Sequence, residues 1–347
     1  MKIRRVGVDL AKNVFQVHGV DQHEQPVWQR SVKRAQWLGE IQKHVPQTAE
    51  IGMEACAGAH HWARALESRG YRVKLIAPQF VKPYVKSNKT DRNDAEAICE
   101  AMSRPSMRFV AIKSVEQQDI HYVHRVRSEL VSQRTGKANQ IRGLVGEYGL
   151  VAPVRLGQLR MAVPLWLEDA ENGLTPRFRR VLAGLWRDLT ALDERVGELD
   201  QELKELAEEH PAARRLQQLR GVGPVIATAL VAALGDGSGF RKGRDFAVSL
   251  GLTPRQHSSG GKAHLMGISK RGDSYLRQLL VHGARAAVRT AKLHDDALSC
   301  WIQNLNARKH TNVVVVALAN KTARMAWAMI HNDVDYEPQL AASAATS

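Results

Sequence analysis

The sequence predicts an α/β unit followed by all-α structure: an N-terminal mixed sheet, a central helical coiled coil, and a C-terminal, mostly helical domain. Three observations predict it. β-rich runs and amphipathic segments alternate through residues 1–105; leucines recur at spacings of three and four from Leu182 to Leu206; and beyond Leu216 the apolar helical pattern is broken by a Gly/Ser/Lys-rich loop between Gly251 and Gly272. At 347 residues the chain is too long for one core, since domains usually run to roughly 100–200 residues. The expected divisions are 1–110 for the sheet domain, 111–211 for the helical and coiled-coil region, 212–335 for the C-terminal domain, and 336–347 for a polar, disordered tail.

Taken in order, Arg5–Asp9 and Val14–Val20 are two strands joined by a short turn, and Pro26–Val32 is a third beside them. A helical pattern at Arg34–His44 precedes a strand at Glu50–Glu54, a helix near His60–Ser68, a strand at Arg72–Ala77 and a helix after Thr90. Three antiparallel strands followed by strand–helix repeats make a mixed sheet flanked by helices. From Val115 to Leu150 the chain is helical and basic, with Arg125, Arg127, Arg134, Lys137 and Arg142 against Glu129, a pattern suited to tracking a phosphate backbone. Residues 151–178 hold Pro153, Pro164 and Pro176 and read as a connection with broken helix. Leu182, Leu185, Leu189, Leu192, Val196, Leu199, Leu203 and Leu206 then form a coiled-coil seam, which either joins subunits or packs a helix inside its own domain.

The chain carries 50 Lys+Arg against 35 Asp+Glu, a net charge of +15 with a pI near 10.0. That excess points to a polyanionic partner, nucleic acid first. It is also uneven: from Arg241 to Arg289 the acids are only Asp245 and Asp273. Three scattered cysteines, Cys56, Cys99 and Cys300, exclude a CxxC zinc site or a disulfide framework and fit a reducing cytoplasm. The opening MKIRRVGVDLAK has no signal-peptide core, and the longest apolar run, Val313 to Ala319, is too short to span a bilayer, so a soluble protein with no membrane partner is expected.

Two carboxylates end apolar strands, Asp9 in VGVDLAK and Glu54 in IGMEAC, where a charge is costly unless paired or bound to metal. Asp91 and Asp94, in KTDRNDAEA, share a face at the start of a predicted helix. Each acid alone has an ordinary reading as a turn residue, a cap or a favourable charge at a helix N-terminus. Together they supply the hard oxygen ligands that magnesium needs for phosphoryl transfer. His60 and His61, being adjacent, make a poor two-ligand face, and Trp301 and Trp327 read as core.

In the C-terminal region, LRGVGPVIATALVAALGD has a Gly221-x-Gly223 turn leading into an apolar helix, similar to a helix-hairpin-helix motif whose backbone N–H groups hold a phosphate. The block GLTPRQHSSGGKAHLMGISKRGDSYLRQLL sets Ser258 and Ser259 before two glycines, among Arg255, Lys262, Lys270, Arg271 and Arg277. A serine attacking a phosphodiester needs an accessible approach and nearby positive charge, and this block supplies both. A polar surface loop that only binds phosphate would show the same composition.

The series VGVDLAK, GMEAC and KTDRNDA resembles the DEDD signature of a family of bacterial insertion-sequence transposases, the IS110 family, and the resemblance continues through the serine block. It implies a ribonuclease-H-like N-terminal domain, with Asp9, Glu54, Asp91 and Asp94 as magnesium ligands. Aligning SGGK makes Ser259 the matching nucleophile, with Ser258 one register away and Ser269 a weaker third. The implied activity is magnesium-dependent DNA strand cleavage and rejoining through a phosphoserine, guided by a non-coding bridge RNA that pairs with donor and target duplexes. Dimers pairing into a tetramer, in the bacterial cytoplasm and at the nucleoid when active, are the expected assembly. The rival expectations are a hydrolytic, junction-resolvase-like nuclease that uses the serine loop only for binding, and a non-enzymatic nucleic-acid-binding protein.

Overall fold

The computed structural model describes residues 2–86, 90–259 and 262–338, with backbone alone for 259, 262 and 263. Most of the expected tail therefore lies outside the described residues. The chain folds as two units, Met1–Val115 and Glu116–Ser347. The second takes in both the central and the C-terminal helices.

In the first unit, β1 (Arg5–Asp9), β2 (Val14–Val20) and β3 (Pro26–Lys33) form an antiparallel meander; α1 (Trp37–His44) leads to β4 (Glu50–Glu54), and α2 (Ala59–Glu67) to β5 (Arg72–Ile76). After α3 (Pro78–Val81) and α4 (Asp91–Met102), the two-residue edge strand β6 (Phe109–Val110) closes a sheet of order β3-β2-β1-β4-β5-β6. β4 runs parallel to β1 and β5 parallel to β4, while β6 returns antiparallel. The mixed sheet expected from the sequence is present. β6 carries too short an apolar pattern to have been read from the sequence.

The two faces of the sheet bury different residues because side chains alternate along a strand. Val6, Val8, Phe15 and Val17 enter a core with Trp37 and Ile41 of α1 and Trp62, Ala63 and Leu66 of α2. On the other face lies α4, and Gly7 allows it to approach: a Cβ there would sit 2.5 Å from the Cys99 backbone nitrogen. Gly52 on β4 serves the same helix, since its Cβ would fall 2.7 Å from Met102 Cγ. The buried Arg5 fixes the contact by donating from Nε to the Cys99 carbonyl at 2.9 Å.

The second unit opens on α5 (Val115–Gly146) and α6 (Leu156–Glu168, with Pro164 inside), followed by the long α7 (Pro176–Glu209). Arg127–Asp200, Arg134–Asp193 and Lys137–Asp188 are ion pairs between α5 and α7. Partner numbers rise on one helix as they fall on the other, so the two run antiparallel. Leu182, Leu189, Val196 and Leu203, one heptad apart, are all buried. The first two share a core with Ala138, Ile141 and Val145 of α5 and Leu159 and Val163 of α6. Half of the leucine seam is thus occupied within the chain, while Leu185, Leu192, Leu199 and Leu206 are half-buried beside it.

The rest of the unit comprises α8 (Pro211–Leu216), α9 (Pro224–Leu234), α10 (Gly243–Ser249), the hairpin β7 (Pro254–Ser259) and β8 (Lys262–Ile268), α11 (Ser274–Thr290), α12 (Ala297–Asn306) and α13 (Thr311–His331). The expected loop between Gly251 and Gly272 is mainly this hairpin, so the Gly/Ser composition masked a strand pair. By length and composition α13 could cross a membrane, which the apolar run within it had not suggested. Here it is a core helix: Val314, Leu318, Ala319, Ala323 and Ala326 are buried against α10, α11 and α12.

One buried polar chain ties the unit together. Thr228 donates its hydroxyl proton to the Pro224 carbonyl at 2.8 Å, so it accepts from His124 Nε2 at 3.0 Å. That leaves Nδ1 to accept from the Tyr275 hydroxyl, also at 3.0 Å. Burial, with the positive charge of Arg127 adding to it, pushes the His124 imidazole down to about 4.

Candidate metal centre and serine hairpin

Asp9 ends β1 and Glu54 ends the neighbouring parallel strand, with Val8 and Met53 paired just before them. Both acids therefore stand at the same end of the sheet, on its two central strands. Thr90 caps α4 by accepting from the Asn93 backbone N–H at 3.3 Å, which starts the helix at Asp91 and sets Asp91 and Asp94 in its first turn. Close contact through Gly7 brings that turn to the end of β1. Asp9, Asp91 and Asp94 each offer a carboxylate oxygen, and these lie within 4.8 Å of one another.

Three negative oxygens at that spacing repel, and about 4–5 Å is also the span across one hard divalent ion. The residues therefore fit such an ion. Glu54 stands outside the group of three. It remains close: after burial, the charges of Glu54 and Asp9 are the next causes that push the Cys56 thiol up. The two glycines that set this geometry, Gly7 and Gly52, were missed in the sequence. Their signal is position, since each precedes its acid by two residues and so shares its face of the strand.

The candidate serines lie on the hairpin of the second unit. Ser258 is exposed, pairs in register with Ala263, and accepts from Gln256 Nε2 at 2.7 Å. Ser259 ends β7 opposite Lys262, and the side chains of both lie outside the described residues. Ser269 sits past the end of β8, its hydroxyl accepting from the Arg271 backbone N–H at 3.4 Å. The hairpin base is clamped where Gly251 (φ 67°) meets Arg271, whose backbone nitrogen would lie 2.6 Å from an added Cβ. Sequence reading also passed over His257 and His264, which face each other in register beside Ser258. Their signal was a histidine on each side of the doubled glycine.

The predicted cations divide into two groups. Arg255, Lys270 and Arg271 are exposed around the hairpin, with Lys270 held at φ 56°. Arg277 instead donates to the Leu250 carbonyl at 2.8 Å. On α5, Arg127, Arg134 and Lys137 pair with aspartates of α7, and Arg142 donates to the Pro153 and Val154 carbonyls. Of that predicted phosphate stripe only Arg125 is exposed and outside the ion pairs found among the described residues. Gly221 (φ 82°) packs against α11, where its Cβ would come 2.8 Å from the Gly283 carbonyl carbon, while nothing crowds Gly223.

The family model described as a DEDD-type IS110 transposase matches residues 6–149, the span that holds all four acids. That of the transposase IS116/IS110/IS902 family matches residues 213–298, the span that holds the hairpin. A probable family 20 transposase of Pseudomonas aeruginosa is 49% identical over 97% of this chain and 100% of its own length. The chain belongs to the IS110 family of transposases. The transposase for insertion sequence element IS1111A of Coxiella burnetii is 45% identical, covering 96% of this chain and 91% of its own. That for IS1328 of Yersinia enterocolitica is 42% identical, with 93% and 95% covered. As an IS110-family transposase the protein serves insertion-sequence transposition, and DNA is its partner.

Proposed function

We propose that this transposase cuts and rejoins DNA by magnesium-dependent phosphoryl transfer through a transient phosphoserine, with Asp9, Glu54, Asp91 and Asp94 as the metal-binding acids and Ser259 as the nucleophile. The observation that carries the reading is the convergence of Asp9, Asp91 and Asp94 within 4.8 Å, from a strand end and a helix start far apart in sequence. A magnesium ion there would neutralise the scissile phosphate and stabilise the attacking and leaving oxygens. The acids hold and orient; the serine oxygen replaces one strand's oxygen on phosphorus, and the hydroxyl of an incoming strand then replaces the serine. The number of phosphodiester bonds is conserved, as strand exchange requires.

In the same reading the first sheet is ribonuclease-H-like, Arg255, Lys270 and Arg271 contact backbone phosphates, and a non-coding bridge RNA selects donor and target. Two duplexes require several active sites, so dimers pair into a tetramer. The exposed Val151, Val154, Met161 and Leu165 offer apolar surface for that assembly, which the buried Leu182, Leu189, Val196 and Leu203 do not. The protein acts in the cytoplasm, at the nucleoid. The test is a protein–DNA adduct that survives denaturation, located by mass spectrometry. An adduct on Ser259, lost in Ser259→Ala and kept in Ser258→Ala, is expected. An adduct on Ser258 or Ser269 overturns the assignment, and cleavage with no adduct would mean a hydrolytic nuclease.

A further inference from the structure

The first unit holds a second feature beside the carboxylates. A cavity of about 680 Å³ opens at the end of β2 and β3, lined by Asn13, Val14, Lys33, Arg34, Leu38 and Trp62. Its floor is apolar and its rim is cationic: Lys33 and Arg34 are exposed, as is Lys12 in the adjoining turn, and no acid lines it among the described residues. The Arg34 guanidinium lies 5.3 Å from the Trp62 ring centroid and 5.9 Å from that of Phe15, and its Nη1 donates to the Lys12 carbonyl at 3.4 Å, so it is held over aromatic carbon with one side open to solvent. The volume falls in the usual range for small-ligand sites, about 300–1,000 Å³.

Its position says what that ligand is. Asp9 pairs with Gln16 across β1 and β2, and Val14 lies two residues further on, about 7 Å along the strand. The cavity therefore sits at the carboxylate end of the sheet, on its α1–α2 side, separated from the acids by the β1–β2 turn. An apolar floor, a guanidinium over an aromatic ring and a rim of exposed cations are what an extruded base and its phosphate require.

We infer that this groove receives an unpaired nucleotide of the DNA strand leading into the carboxylate site, its base beside Val14 and Leu38 and over the Arg34 guanidinium that covers the buried Trp62, and its phosphate on Lys33 and Arg34. This rests on the reading of those acids as the cutting centre. It adds a grip that holds the strand on one side of the cut.

The experiment uses the full chain with EDTA, so that binding is read without cleavage. A twelve-nucleotide single-stranded DNA carrying 5-iodouracil is crosslinked by light and the attached residue found by mass spectrometry; Trp62 or residues 33–38 are expected. Lys33→Gln with Arg34→Gln should raise the dissociation constant about five- to twenty-fold and flatten its log–log salt dependence by about 1.4, near 0.7 per lost contact. Lys43→Gln, an exposed cation on α1 outside the groove, should change neither. Should the double variant fail to fold, Lys33→Gln alone, with a slope change of about 0.7, carries the test. Unchanged affinity and slope, crosslinks only elsewhere, or a loss confined to RNA of the same sequence would overturn the inference. Because the acids do not line the groove, failure of the cutting centre would show as wild-type protein that crosslinks here yet never cleaves with magnesium.

Discussion

Gly7 and Cys99 meet backbone to backbone: a Cβ on Gly7 would stand 2.5 Å from the Cys99 nitrogen and 2.8 Å from its Cβ. The acid end of β1 and the acid start of α4 are brought together by a missing side chain. Gly7→Ala should therefore push α4 away and separate Asp9 from Asp91 and Asp94. Overpacking of this kind costs about 1–3 kcal/mol, so a lower melting temperature is expected. The stronger expectation is a loss of magnesium-induced stabilisation, measured by thermal melts with and without the ion; a variant that melts lower yet gains as much from magnesium would separate the packing from the site.

Removing one acid from the group of three should act in the opposite direction on the metal-free protein. Asp94→Ala relieves like-charge repulsion, so without metal its melting temperature should equal or exceed that of the parent. With magnesium the gain should vanish, together with strand cleavage, while DNA affinity persists. Glu54→Ala should keep more of the magnesium gain than Asp94→Ala, since Glu54 lies outside the group. Equal losses for the two would place Glu54 in the inner set when metal is bound.

Asp193 accepts from Arg134 at 3.3 Å and from Arg160 at 2.6 Å, with only 16% of its side chain exposed. Asp193→Asn leaves two guanidiniums without a counter-charge and should cost about 1–3 kcal/mol, between the values for exposed and buried pairs. Nucleic-acid affinity should not change. Arg125→Gln should do the reverse, leaving stability alone and lowering the salt slope of duplex binding by about 0.9 if it touches a phosphate. Chemical denaturation and salt titration of both variants read the two effects separately.

His124 makes stability depend on pH. Its folded value, about 4, lies below the ordinary imidazole value of 6.5, so the unfolded chain takes up the proton first as pH falls. The neutral ring's contribution is complete above pH 6.5 and is lost progressively between 6.5 and about 4, amounting to about 3 kcal/mol. His124→Gln should flatten stability across that window, as followed by denaturant melts at half-unit steps. A parent protein equally stable at pH 7 and pH 4.5 would contradict the buried, neutral ring.

The sheet was legible because β1 to β5 combine β-branched residues with clear turns; Asp9, Asp91 and Asp94 stood out as a strand end and a helix start, a position Glu54 shares although it lies outside their group. Gly7 and Gly52 were not, since a glycine reads as absence until the helix it admits is known. The basic pattern of α5 was visible but its partners were not: Asp188, Asp193 and Asp200 lie some fifty to seventy positions away, and only the antiparallel return of α7 brings them to Arg127, Arg134 and Lys137. The hairpin at Ser259 escaped for a different reason. Its strands, PRQHSS and KAHLMGI, leave Leu265 66% exposed and so lack the alternation that marks a half-buried strand.

The pairing of α5 with α7 also limits how the gene can change in length. At about 1.5 Å per residue, the 34 residues of α7 make a rod of about 50 Å, keyed at three successive charge pairs. One inserted codon would rotate everything beyond it by about 100° and unseat Leu182, Leu189, Val196 and Leu203 from their row. Seven inserted at matching heights in both helices would restore the row and lengthen the rod by about 10 Å. Among relatives, length changes in this region should therefore come as paired heptads or fall in the connections at either end of α6.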